Sequence, residues 1–85
     1  MGCTRQFRFA AGVSVANAEM TLHLAMFAVE GLIGRVAVHL DARYLVDLDG
    51  NAIAIDGRTL AGQLLIRIYA GLLLREIGEA AFEIV

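Results

Sequence analysis

Two histidines, nine carboxylates and two tyrosines are the side chains of this sequence best suited to moving a proton or orienting a ligand. Their spacing decides which of them can meet. Glu19 and His23 stand four residues apart, and Glu30 falls in the same helical sector. On a helix, residues at i and i+4 touch. A carboxylate beside an imidazole can orient a general base or contribute to a metal site. The same pattern also describes a solvated helix face with one modest ion pair. Glu30 is two turns from His23, so the plainer description takes precedence.

His39, Asp41 and Arg43 form a second set. If their segment is extended, alternate residues share one face, and His39 with Asp41 could act as a proton-transfer pair. They would then line the open face of a sheet, with Arg43 next in line to meet a carboxylate from another chain. The competing description is polar lining of an exposed or dimer-facing sheet.

A third set, Asp56-Gly57-Arg58-Thr59, lies between an expected strand and an expected helix. Backbone N–H groups at a helix start, together with Arg58 and Thr59, could hold a small anion. A plain loop with a threonine cap fits equally. Tyr44 and Tyr69 could each offer a hydroxyl to a cavity, though packed tyrosines with one satisfied hydroxyl are commoner. No phosphate-cradling glycine motif, dinucleotide fingerprint or Cys-x-x-Cys occurs. The sequence implies no cofactor and no resident metal, and none of these sets amounts to a catalytic signature.

The elements that must carry these residues follow from periodicity. Thr4 to Ala10 alternates as a strand, with Phe7 and Phe9 on one face, and Ala11-Gly12 breaks it. Ser14 is a plausible cap for a helix running to about Glu30. Val15, Ala18, Leu22, Ala25, Met26 and Val29 form its apolar stripe, with a second patch at Met20, Leu24 and Phe27. Gly31 is suited to stop this helix, with Leu32 folding back on Phe27.

From Arg35 to Leu48 the residues alternate, which predicts one unusually long strand, bent near Asp41-Ala42. Asp49-Gly50 is a strong hairpin signal because both turn residues accept positive φ. Ala52 to Asp56 is the return strand, ended by Gly57. Thr59 caps a second helix from about Leu60 to Ile77, stopped by Gly78, and Ala81 to Val85 is a last short strand.

The expected fold class is therefore α+β. The order β-α-β-β-α-β describes a ferredoxin-like two-layer sandwich: a four-stranded antiparallel sheet with two helices on one face. The long strand would lie at an edge, half of it without a partner, and a free edge invites pairing with another chain.

Composition bounds the rest. The 85 residues make one domain, with residues 1–3 as a tail carrying the single cysteine, Cys3. Met1-Gly2-Cys3 suggests an acylation start, but Gln6 stands where myristoylation requires Ser or Thr. Hydrophobic residues make up 59% of the chain, against roughly 45–50% in ordinary soluble domains on a comparable count. A core this small cannot hide them all. No segment reads as a spanning helix or signal peptide, so the expectation is no membrane partner and, by default, a cytoplasmic location. The net charge is −2 and the seven basic residues, all arginine, are scattered, which argues against nucleic acid. The expectation is a homodimer or higher oligomer that binds a small apolar or anionic ligand, or another protein. The alternative is a cofactor-independent enzyme of the dimeric α+β barrel type, with His39 and Asp41 or His23 and Glu19 as its acid/base pair.

Overall fold

The computed structural model describes residues 4–85; the terminal segment with Cys3 lies outside them. The chain runs β1 (Thr4–Phe9), α1 (Val15–Ile33), α2 (Arg35–Asp41), β2 (Tyr44–Asp47), β3 (Ala52–Asp56), α3 (Leu60–Glu76), a 3-10 turn (Glu79–Ala81) and β4 (Phe82–Ile84). The four strands form one antiparallel sheet in the order β2-β3-β1-β4. The α+β class and the sheet agree with the sequence reading. A third helix does not.

The sheet's two faces follow from its register. Phe7 pairs with Ile53 and Ile84, Phe9 with Phe82, Val46 with Ile53, and Tyr44 with Ile55. These side chains turn to the side where Val15, Ala18, Leu22, Ala25 and Val29 of α1 and Leu65, Tyr69 and Leu73 of α3 complete the core. Tyr69 lies 4.9 Å from Phe7 between ring centroids, at 57°. Thr4, Gln6, Arg8, Leu45, Asp47, Ala52, Ala54 and Glu83 occupy the alternate positions of the opposite face.

The caps formed largely as read. The Ser14 hydroxyl accepts from the Asn17 N–H at 3.3 Å, and the Thr59 hydroxyl from the Gly62 N–H at 3.0 Å. Each satisfies one otherwise orphaned donor of a helix start. Gly78 has φ +81° after α3, the left-handed conformation glycine adopts without strain. Gly31, by contrast, stays helical. The first helix ends at Gly34, φ +94°, and Leu32 remains exposed within α1.

The principal correction concerns residues 35–41. They form helix α2, and strand β2 is only Tyr44–Asp47, all of it paired with β3. Seven residues are under two helical turns, too short to separate a period of 3.6 from a period of 2. Val38 alone is buried, reaching the core, while Val36 and Leu40 point outward. That one anchor, together with the turn at Gly34, overrides the strand preference of Val36 and Val38. β2 does lie at the sheet edge.

The hairpin is present but built differently. Asn51, not Gly50, carries the positive φ, at 50°. Its N–H bonds the Leu48 carbonyl, Asp47 Oδ1 accepts from the Gly50 N–H at 2.9 Å, and Asn51 Nδ2 donates to the carbonyls of Phe9 and Ala10. Asn51 thereby stitches the hairpin to β1. No helix among the described residues is long and apolar enough to cross a membrane.

Candidate functional site

Three residues separated in sequence meet where α1 stands over β2. Tyr44 turns inward from β2, and its hydroxyl donates to Glu19 Oε2 at 2.9 Å. Since that proton is committed, the phenol oxygen is left to accept from His23 Nε2 at 3.0 Å. That bond requires the imidazole proton at Nε2, which lies 3.8 Å from Glu19 Oε2. Burial, then the hydrogen bond and charge of Glu19, raise the Tyr44 phenol above the ordinary tyrosine value, which keeps it protonated. The i, i+4 spacing foretold Glu19 and His23 side by side; Tyr44 between them required the sheet.

The cluster is a carboxylate–phenol–imidazole chain that fixes the ring of His23. The His23 side chain is 53% exposed and borders a shallow open groove with Met20, Leu24 and Glu76. Tyr44→Phe removes both hydrogen bonds while keeping the ring in place. The expected cost is about 1 kcal/mol in urea unfolding, and an unchanged midpoint would show that the contact adds no stability.

The other candidates are dispersed. His39 and Asp41 lie on α2 two residues apart, hence about 200° around a helix, and both are exposed. They do not share a strand face. Arg43 sits in the connection to β2, where its carbonyl accepts from the Asp56 N–H at 3.0 Å. Arg58 forks onto its own neighbour, with Nε 3.0 Å from Asp56 Oδ1 and Nη2 2.8 Å from Oδ2. The hydrogen bonds from this guanidinium and from the Arg58 backbone hold the Asp56 carboxyl down to about 2. The Thr59 hydroxyl accepts from Gly62 and donates to the Asp41 carbonyl at 3.0 Å. Arg58 and Thr59 are thus engaged within the chain rather than aimed at an anion.

Two further depressions adjoin residues discussed above. One of about 480 Å³ lies toward the β2 edge of the sheet, lined by Thr4, Ala42, Arg43, Tyr44, Leu45, Ala54 and Asp56. Another of about 260 Å³ lies between the start of α1 and the end of α3, with Ser14, Asn17, Thr21 and Glu76 at its wall. There the buried Thr21 donates to Glu76 Oε2 at 2.8 Å. That bond links residues 55 positions apart, and nothing in local spacing announces it. Among the described residues no cluster of three or more His, Cys, Asp or Glu could hold a metal ion. Set beside known proteins, the chain matches no family model, no curated protein and no solved structure.

Proposed function

We propose that the chain is a ferredoxin-like two-layer sandwich that works as a homodimeric, non-catalytic binding module. The sheet order β2-β3-β1-β4, with antiparallel neighbours throughout, is what two interleaved β-α-β crossovers generate, and supports that architecture. The helix α2 is an addition within the first crossover.

The observation that carries the functional reading is the apolar surface the chain leaves uncovered. Met20, Leu24 and Phe27, at 66%, 56% and 66% exposure, form a stripe on the side of α1 opposite its core stripe. Leu45 and Leu48, at 77% and 72%, project from the edge hairpin. Contiguous uncovered apolar side chains mark association surfaces in soluble proteins. The enzyme alternative draws on Glu19, Tyr44 and His23. A half-exposed imidazole at an open groove offers little of the water exclusion that acid/base chemistry on an apolar substrate uses.

Sedimentation equilibrium of the full chain at micromolar concentration tests the reading. A mass near twice the 9.1 kDa of one chain is expected. A monomer throughout that range overturns it.

A further inference from the structure

We infer that two copies pair through their β2 edges, antiparallel about a two-fold axis at Leu45, so that the two sheets continue as one. This rests on the homodimeric reading above and assigns its contact.

The backbone at this edge is open. Arg43 bonds Asp56 across the β2–β3 pair. In an antiparallel ladder hydrogen-bonded and non-bonded pairs alternate. Leu45 and Asp47 therefore also direct their N–H and C=O groups toward β3, and Tyr44 and Val46 direct theirs away from it. Among the described residues, no backbone hydrogen bond outside the sheet involves Tyr44 or Val46. Natural edges are blunted by shortness, charge, Pro or a bulge; Tyr-Leu-Val-Asp is only four residues long and ends in an Asp, but it has neither Lys nor Pro, and its pairing with β3 is continuous.

The register follows from the side chains. With the axis at Leu45, Tyr44 of one copy faces Val46 of the other, and the two exchange both main-chain bonds. Leu45 faces Leu45 on the open face. Arg43, just before the strand, faces Asp47, an opposite-charge pair formed twice. Every opposed pair is apolar or oppositely charged.

Moving the axis to Tyr44 sets Arg43 against Leu45 and leaves Asp47 with no strand residue opposite it, because Asp41 belongs to α2. Moving it to Val46 sets Leu45 against Asp47. The other free edge, β4, would place Glu83 against Glu83 about its own centre, and like charges directly opposite destabilise a sheet. The α1 stripe carries no comparable register, and it lies on the side of its helix away from the core.

Cross-linking and mass measurements test this contact. Leu45 would sit in a non-hydrogen-bonded pair, whose Cα atoms are about 4.5 Å apart, within the roughly 4.4–6.8 Å that a disulfide spans. In a Cys3→Ser background, Leu45→Cys treated with diamide, which takes up the two electrons and two protons, is expected to form a covalent dimer nearly completely. Leu48→Cys, far from the axis, should form little. Val46→Pro deletes an outward N–H that the monomer does not use, a position where an edge strand tolerates proline. It should weaken the dimer at least tenfold while the circular dichroism stays that of the wild type, and Arg43→Glu should weaken it about tenfold.

Phe27→Glu should leave the dimer intact. If the wild type is dimeric but Leu45→Cys links no better than Leu48→Cys, or Phe27→Glu alone dissociates it, the edge contact is wrong and the homodimeric reading stands. If the wild type is monomeric, both fall.

Discussion

Gly62→Ala is expected to destabilise the fold by about 3 kcal/mol or more, although alanine is the better helix former. Gly62 is the third residue of α3, where its N–H is held by the Thr59 hydroxyl. A Cβ there would land on the carbonyl oxygen of Asp56, 3.0 Å from its carbon and 3.3 Å from Thr59 Oγ1. None of these atoms is free to retreat. Asp56 is paired with Thr4 and bonded to Arg43, and Thr59 also binds the Asp41 carbonyl. The start of α3 would have to lift from the end of β3, disturbing Ala61 and Leu65 in the interior.

Gly71→Ala on the same helix is the matching control. Nothing lies within 4 Å of its Cβ position, so the backbone entropy saved should raise stability by about 1 kcal/mol. Urea or thermal unfolding of the two variants separates the effects. If both shift the midpoint in the same direction, the close approach of α3 to Asp56 does not constrain the fold.

Which parts of this structure could be read in advance depended on length and on locality. α1 and α3 are long enough for several turns of 3.6-residue periodicity, so Val15, Ala18, Leu22, Ala25 and Val29 could be assigned to the core from spacing alone. Their ends were legible where the capping chemistry is local, as at Ser14, Thr59 and Gly78. Gly31 and Gly34 are two glycines three residues apart, and only the packing of Val38 decides which one turns the chain. For the same reason the alternation across Val36, Val38 and Leu40 looked like strand and folded as helix.

The site divides along the same line. Glu19 with His23 is a local pair and was visible. Tyr44 reaches them only because β2 turns it toward α1, and Thr21 with Glu76 is brought together by helix packing. His39 with Asp41 failed because the strand that would have aligned them is absent. The edge position of β2 was implied by topology, yet its register on a second copy depended on finding where the strand begins. Arg43 would oppose Asp47 only with the axis at Leu45, the second of the four residues of β2.

Tyr69 should carry the largest single share of stability, and its two halves can be measured separately. The side chain is fully buried, its ring against Phe7, and its hydroxyl donates to the Ala18 carbonyl at 2.6 Å. Tyr69→Ala is expected to cost about 3–5 kcal/mol, the range for emptying an aromatic site in a packed core. A domain of this length has a total of only about 4–13 kcal/mol, so this variant should be near or past the threshold of folding.

Tyr69→Phe should cost about 1 kcal/mol, because the Ala18 carbonyl remains an acceptor within α1 and is not orphaned. The phenylalanine variant also isolates a pH effect. Burial first, then the charges of Glu19 and Glu76, raise the Tyr69 phenol far above its ordinary value of 10.0. The folded chain holds this proton where the unfolded chain releases it. Its contribution is therefore complete below about pH 10 and is lost as pH rises further.

Wild-type melting temperature should fall steeply from about pH 10 to about pH 12. Tyr69→Phe should fall less, keeping only the smaller alkaline loss due to Tyr44, whose phenol is raised in the same direction. Superimposable alkaline curves for wild type and Tyr69→Phe would mean that the hydroxyl is not held in the interior. The bond that ties α3 to α1 through Ala18 would then be absent in solution.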